Sequence, residues 1–169
     1  MSKKYSTKLN PSAKSAAGFK SLGKKTVYHK KSSIGILETF KNSNPDSLYL
    51  VPLICNEFTA ICPITGQPDF AKFEIVYVPR VDMVESKSLK LYMHSFRNEG
   101  IFHEDVTNRI FKDLWKLMDP KFMRIIGDFS VRGGIAIKPL VQKFASDSGS
   151  EHQAILEMLQ SWDNAKRTN

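Results

Sequence analysis

The fold is decided by residues 48–78, which read LYLVPLICNEFTAICPITGQPDFAKFEIVYV. The first part of this stretch, residues 48–61, is mostly apolar and predicts a strand, in which Pro52 indicates an edge position or a bulge. Residues 62–69 contain two prolines and a glycine, and this composition predicts a loop. Residues 70–78 predict a second strand. The stretch therefore forms a long antiparallel hairpin with a polar, chemically rich loop.

The spacing of apolar residues changes after this hairpin. Leu89, Met93 and Phe96 recur at helical spacing, and Asp119-Pro120 ends a second helical pattern. Two strand patterns and a short amphipathic segment follow. The predicted elements are helices over residues 86–98 and from 102–104 to 118, strands over 122–130 and 135–144, and a closing helix over 153–162.

The order of the main elements is β-β-α-α-β-β. A parallel Rossmann sheet would need βαβ alternation and a Gly-x-Gly-x-x-Gly turn, and the sequence has neither. The order predicts an α+β fold, with an antiparallel sheet that carries two helices on one face. We expect one folded domain over residues 34–145, a basic and flexible tail over residues 1–33, and a C-terminal helical extension over residues 146–169.

The charge of the chain is concentrated at its N-terminus. The net charge is +8, but residues 1–31 hold nine of the 25 basic residues and no acidic one, so the remainder sums to −1. A tail of this kind is typical of solvated termini, and it could also bind nucleic acid weakly. With no apolar run of about 20 residues, no secretory leader and two cysteines, we expect a cytoplasmic protein without a membrane segment.

Cys62 and Asp69 are the first candidates for chemistry, because they begin and end the same Pro/Gly loop. A cysteine thiolate is a good nucleophile, and a carboxyl group folded back over it could exchange a proton. From spacing alone, a small loop cysteine and a turn-capping aspartate are the preferred explanation of the pattern. Cys55 lies within an apolar strand and is interpreted as a core residue.

A second set of polar residues lies at predicted helix starts. His103, Glu104 and Asp105 either complement the helix dipole or bind a ligand. No His-x-x-x-His or Cys-x-x-Cys spacing accompanies them, so we expect no catalytic metal. Residues 85–90 are either ordinary capping residues with a solvated lysine face or an anion site. The Arg132-Gly133-Gly134 turn is open to the same two interpretations.

Taken together, these stretches resemble the single-module 7-cyano-7-deazaguanine (preQ0) reductases of the tunnelling-fold family. The resemblance extends over residues 36–139, and the motifs that carry it occur in the expected order. They are EFTAICPITGQPDFA (57–71), ESKSLKLY (85–92), SFRN (95–98), FHED (102–105) and FSVRGGI (129–135).

This resemblance implies a tunnelling (T-) fold, in which antiparallel sheets of several subunits close into an oligomeric barrel. Such proteins assemble as pentamers or decamers with active sites between subunits. The implied reaction reduces the nitrile of preQ0 to the aminomethyl group of preQ1, through a Cys62 thioimide and with two NADPH per turnover, in tRNA queuosine biosynthesis. Nucleic acid is not required.

The resemblance also assigns roles to individual residues. Cys62 is the nucleophile and Asp69 the proton donor, which overrides the purely structural interpretation of both. The implied substrate-binding residues are Val84, Glu85, Ser86, His103 and Glu104, and the implied NADPH contacts are Ser86, Lys87, Lys90, Arg132 and Gly133.

Two rival interpretations remain. A hydrolase of the GTP cyclohydrolase I type shares the tunnelling fold, but it uses zinc held by Cys and His at spacings that are absent here. A nucleic-acid-binding module is suggested by the basic tail and a calculated isoelectric point of 9.5. It predicts salt-sensitive binding that is lost when residues 1–31 are deleted.

Overall fold

A computed structural model describes residues 28–167. Predictions about residues 1–27, including most of the basic tail, therefore concern a part of the chain outside the described residues. The elements are strands β1 (Thr39–Lys41), β2 (Val51–Ile61), β3 (Pro68–Val78), β4 (Asp82–Val84), β5 (Phe122–Phe129) and β6 (Leu140–Phe144), with helices α1 (Ser86–Ser95), α2 (His103–Met118) and α3 (His152–Arg167).

The main sheet has four antiparallel strands in the order β2-β3-β5-β6, while β1 and β4 form a separate antiparallel pair. The predicted hairpin is confirmed as β2 and β3, which pair from Val51–Tyr77 to Ile61–Pro68. Strand β2 lies at the edge of the sheet, and an edge strand tolerates Pro52, which has no N–H to donate. The register shifts between Cys55 and Phe58, so β2 contains the expected irregularity a few residues beyond Pro52.

Helices α1 and α2 cover one face of this sheet, as predicted. Phe58, Phe73 and Phe129 on the strands meet the two helices in one core, where aromatic rings pack edge to face. Alternation along β3 points Phe73, Ile75 and Tyr77 into this core. The packing fixes the start of α2 close to the β2–β3 loop.

Helix α3 covers part of the opposite face, which the sequence alone did not predict. Its Ile155 and Leu159 are buried against Val76, Val78 and Phe122. Val76 lies on the face opposite to Ile75 and Tyr77, and it is buried because α3 supplies a second apolar layer. The ion pairs of Arg124 with Asp163 at 2.7 Å and of Glu74 with Lys166 at 2.6 Å hold the helix across the sheet.

Several predicted boundaries differ from the structure. The last strand begins at Leu140 and not at Ile135, because Gly133 and Gly134 turn the chain with positive φ and Pro139 has no N–H to donate. Between these points only scattered bonds reach β5, such as Phe129 N–H to the Ile137 carbonyl at 3.2 Å. The closing helix is longer than predicted at both ends.

Candidate active site

Cys62 stands immediately after β2, where the chain leaves the sheet. Its N–H donates to the carbonyl of Gln67 at 2.8 Å, and its carbonyl accepts from Gly66 N–H at 2.9 Å, so the loop closes on itself. Gly66 has φ of +70°, a conformation that side chains rarely adopt. The predicted loop is therefore present as a rigid turn that holds Cys62 half-buried.

The same turn lowers the pKa of the Cys62 thiol to about 6. The main cause is a hydrogen bond from the Thr65 hydroxyl, followed by the backbone N–H groups of Thr65 and Ile64. Arg132 contributes a further hydrogen bond, whereas partial burial acts in the opposite direction. Because this pKa lies below 7, the thiolate is the dominant form of Cys62 at neutral pH.

Asp69 is buried at the start of β3, opposite Ala60, with 3% of its surface exposed. Its Oδ1 lies 3.1 Å from His103 Nε2 and is also in ion-pair contact with Arg132. Its Oδ2 is buried and has no hydrogen-bond partner among the described residues. One oxygen is thus held by the protein, while the other is buried and unpaired within residues 28–167.

His103 is the first residue of α2 and is held on three sides. Its ring stacks on Phe129 at a centroid distance of 4.0 Å, and its carbonyl accepts from the Thr107 hydroxyl at 2.8 Å. The segment that precedes His103 pairs with the end of β2, where Ile61 N–H donates to the Glu99 carbonyl at 3.0 Å. These contacts bring the FHED segment to the Cys62 loop.

Arg132 occupies the first position of a tight turn whose next two residues are Gly133 and Gly134. Its N–H and carbonyl both bond to Ile135, and the two glycines have φ of +55° and +82°. This φ pattern is typical of a type I′ turn. The guanidinium reaches back to Asp69 and lies within 3.5 Å of the Gln67 and Pro68 carbonyls.

Of the predicted residues, Cys62, Asp69, His103 and Arg132 therefore meet at one end of the sheet. Sequence reasoning missed Thr65, the main cause of the lowered thiol pKa. A hydroxyl residue three positions after a cysteine in a Pro/Gly turn was the available signal. Sequence reasoning also assigned Arg132 to NADPH alone and did not predict the contacts of Arg132 with Asp69 and Cys62.

A second group of predicted residues lies beside α1. Val84 is buried in β4, and Glu85 is a buried N-cap whose carboxylate accepts from Lys87 N–H at 2.8 Å and Ser88 N–H at 2.7 Å. Those two N–H groups, which the anion-site interpretation needs, are thus occupied by Glu85. The capping interpretation of Glu85 accounts for its position fully.

Beside this cap lies a mostly apolar cleft of about 480 Å³, to which Ser86 and Lys90 contribute. Cys55 lines the same cleft from β2. Cys55 and Cys62 are seven residues apart along the strand direction, about 20 Å at ordinary strand rise. Within one chain the two groups of predicted residues therefore face separate regions.

Glu104 follows His103 and is exposed on the single chain. Its backbone carbonyl accepts from Asn108 Nδ2 at 2.9 Å. The sequence interpretation expected a carboxylate buried against the substrate, and within one chain this burial is absent. Neighbouring Phe102 is also half exposed, so the start of α2 presents an apolar and an acidic side chain to the surroundings.

Residues 28–167 contain no group of three or more His, Cys, Asp or Glu side chains arranged to hold a metal ion. In the same part of the chain, no helix combines the length and the apolar character needed to cross a membrane.

An activated thiol beside a buried carboxylate, on an α+β scaffold, is typical of enzymes that use a cysteine nucleophile. Comparison with known proteins specifies the class. Residues 68–148 match the profile of the family described as QueF-like protein.

Curated relatives extend the match beyond that segment. A Bacteroides fragilis protein is 51% identical over 138 residues, which cover 82% of this chain and 91% of the relative. A Neisseria gonorrhoeae protein is 52% identical over 131 residues, covering 78% of this chain and 82% of the relative. Both are named NADPH-dependent 7-cyano-7-deazaguanine reductase. The chain belongs to this family of oxidoreductases, and the resemblance predicted from its motifs is confirmed.

A solved structure supports the fold. The crystal structure of the archaeosine synthase QueF-Like in the apo form has a TM-score of 0.53 and 21% identity, covering 57% of this chain and 95% of that one. At this identity the likeness concerns the fold alone. It agrees with the predicted α+β architecture of an antiparallel sheet with helices.

Proposed function

We propose that this protein reduces the nitrile of 7-cyano-7-deazaguanine to an aminomethyl group, with NADPH as hydride donor and a covalent Cys62 thioimide as intermediate. The names of the relatives support the reaction. The observation that carries the intermediate is the Cys62 thiol, whose pKa of about 6 makes it a thiolate at neutral pH. The product would be 7-aminomethyl-7-deazaguanine, a precursor of queuosine in tRNA.

The first chemical step is nucleophilic addition. The Cys62 sulfur forms a bond to the nitrile carbon, and one π pair of the triple bond moves to nitrogen. That nitrogen takes a proton from Asp69, which enters this step as the neutral carboxylic acid and leaves it as the carboxylate paired with Arg132 and His103. Its unpartnered Oδ2 is the atom that carries the proton. The result is a thioimide, in which the inert triple bond has become a C=N bond that accepts hydride.

Two hydrides then complete the reduction. Each NADPH supplies one hydride, and solvent supplies a proton to the nitrogen after the first of them, so a nitrile consumes two NADPH and, with the Asp69 proton, two protons. The C–S bond breaks between the two reductions, which leaves an iminium carbon for the second hydride and regenerates the Cys62 thiolate. The residues beside the 480 Å³ cleft fit a phosphate-bearing co-substrate in part, because Ser86 offers a hydroxyl and Lys90 an ammonium there. Lys87 and Gly133 complete the set of residues that we assign to NADPH.

We assign recognition of the base to Val84, Glu85, Ser86, His103 and Glu104. Glu104 is the most informative of these residues, because its exposed carboxylate would bind guanine-like N–H groups strongly only when it is buried. A neighbouring subunit could supply that burial and bring the α1 region of one chain to the Cys62 loop of another. We therefore propose a homo-oligomeric T-fold barrel, a pentamer or decamer, with sites between cytoplasmic subunits.

The test is NADPH oxidation on addition of 7-cyano-7-deazaguanine to the purified protein. We expect two NADPH consumed per nitrile, no consumption by Cys62→Ala, and normal consumption by Cys55→Ala. Intact mass without NADPH should show the adduct in the wild type. Absence of both NADPH oxidation and adduct would refute the proposed reaction, and an adduct without oxidation would refute only the hydride steps.

A further inference from the structure

The guanidinium of Arg132 lies between the two groups to which we assign the chemistry. It is in ion-pair contact with Asp69 Oδ1 and hydrogen-bonds to the Cys62 sulfur. It also lies 3.5 Å from the Gln67 carbonyl and 3.4 Å from the Pro68 carbonyl, both in the segment that separates Cys62 from Asp69. A single planar group thus contacts both ends of the loop and the backbone in between.

The position of Arg132 is itself fixed by the backbone. Ser130 N–H donates to the Phe70 carbonyl at 2.9 Å, which continues the pairing of β5 with β3 up to the turn. The paired bonds between Arg132 and Ile135 then close the turn across Gly133 and Gly134. The positive φ of Gly133 and Gly134 reverses the chain tightly at this point, and the Arg132 guanidinium lies back against the hairpin.

We propose that Arg132 is a positioning residue that joins the Cys62 loop to the Asp69 carboxylate, and so fixes the geometry of nucleophile and proton donor before any ligand binds. This proposal deepens the proposed function and rests on it for the roles of Cys62 and Asp69. It assigns Arg132 a task other than the NADPH phosphate contact that the sequence resemblance implied.

Two features of Asp69 support this assignment. Arg132 and His103 both contact Oδ1 of Asp69, and they approach it from different elements. Together they fix the plane of the carboxyl group. Oδ2 stays buried without a partner among residues 28–167. A carboxyl group held through one oxygen presents the other in a defined direction, which is what proton transfer to a bound nitrogen requires.

The polar groups that contact Cys62 and Asp69 at this end come from three elements. The loop supplies Thr65 to Cys62, helix α2 supplies His103 to Asp69, and the turn after β5 supplies Arg132 to both. Among these, only Arg132 contacts the two catalytic groups at once. Its removal should therefore disturb Cys62 and Asp69 together, whereas loss of a phosphate contact would affect neither.

The experiment measures iodoacetamide alkylation of Cys62 against pH, followed by peptide mass spectrometry, in wild type, Arg132→Ala and Arg132→Gln. We expect the midpoint of reactivity to rise by a fraction of a pH unit in both variants, less than in Thr65→Val, because the smallest of the contributions that lower the Cys62 pKa has been lost. The control is Lys138→Ala, which also removes a cation from the segment between β5 and β6, but one whose ammonium pairs with Asp128 at the surface. Its midpoint should match the wild type.

This readout needs neither 7-cyano-7-deazaguanine nor NADPH, so it remains valid if the proposed reaction fails. Two variants of different side-chain length guard against one that does not fold. A second readout is thioimide formation without NADPH, which we expect to slow about tenfold in Arg132→Gln while the KM for NADPH changes little. Unchanged Cys62 alkylation with a greatly raised KM for NADPH would overturn the proposal and return Arg132 to the phosphate.

Discussion

Cys55 lies within the edge strand β2 and Cys62 directly follows it, yet the pKa values of the two thiols are shifted in opposite directions. Cys55 lies where β2 passes the apolar cleft, and burial raises the pKa of its thiol. Cys62 lies seven residues later, where the strand ends in a turn, and the Thr65 hydroxyl with two N–H groups lowers the pKa of its thiol to about 6. Both are half-buried, so exposure alone does not separate them.

The difference shows what a turn supplies that a strand cannot. Within β2 the N–H groups are committed to the ladder or point away from the side chains, and only Glu57 N–H at the bulge reaches the Cys55 sulfur. In the turn after Ile61 several donors converge on one point. A cysteine at the end of a strand can therefore have its thiol pKa lowered by backbone N–H groups that are not used in sheet pairing.

The largest effect separates the two cysteines outright. Cys62→Ala should abolish covalent capture of 7-cyano-7-deazaguanine, because the sulfur that forms the bond is gone, whereas Cys55→Ala should form the adduct normally. Intact-mass spectrometry without NADPH measures both. Equal adduct formation by the two variants would remove Cys62 from its assigned role.

Asp69→Asn comes next and tests whether the Cys62 region contains a proton donor. The amide keeps the shape of the carboxyl group but loses its acid function, so turnover should fall by about 10²-fold or more. Substrate affinity, measured by calorimetry on Cys62→Ala with and without Asp69→Asn, should change far less. A loss confined to affinity would make Asp69 a structural residue of the hairpin.

Gly127→Ala should weaken the support behind His103. A Cβ at this position would lie 2.9 Å from Thr107 Oγ1 and 3.1 Å from Phe73 Cε1, both within the core. Overpacking of this kind typically costs about 1–3 kcal/mol of unfolding free energy, which urea denaturation can measure.

The matched control for this change is Gly149→Ala, where an added Cβ meets nothing within 4 Å and φ is ordinary. Its stability should stay within about 0.5 kcal/mol of the wild type. Equal stability of both glycine variants would show that the helix and sheet can separate at Gly127 without cost.

Thr65→Val has the smallest expected effect, and it tests most directly why the thiols of Cys55 and Cys62 differ in pKa. Loss of the hydroxyl removes the main cause of the lowered Cys62 pKa, so the pKa rises from about 6 and alkylation requires higher pH. At pH 6 the rate at Cys62 should fall severalfold, while the slow rate at Cys55 should not change. Peptide mass spectrometry follows both cysteines in one sample.

Sequence reasoning predicted the hairpin, the α+β class and the two helices on one face, because these follow from local spacing and from Pro/Gly positions. It did not predict that the amphipathic segment after residue 150 packs on the second face. An apolar stripe shows that a helix is covered, but not which of two sheet faces covers it. The sheet face on which α3 packs is shown by the burial of Val76 and Val78 beneath that helix.

The candidate site shows the same limit at the level of single residues. The motifs located Cys62, Asp69 and His103 because those side chains belong to recognisable stretches. The lowered pKa of Cys62 depends on Thr65 and on two backbone N–H groups, whose directions follow from the turn geometry. The contact of Arg132 with Asp69 joins positions 63 residues apart, which only the pairing of β3 with β5 brings together.

The low pKa of Cys62 has a consequence for the durability of the protein. A thiolate at neutral pH is the form that peroxide oxidises, so Cys62 should be converted to a sulfenic acid before Cys55 is touched. A second thiol can rescue such a group by forming a disulfide, but this requires Cα atoms within about 7 Å. Within one chain Cys55 is some 20 Å away by strand rise, so it cannot serve as a resolving cysteine. The features that activate Cys62 thus make it dependent on reductants from its surroundings.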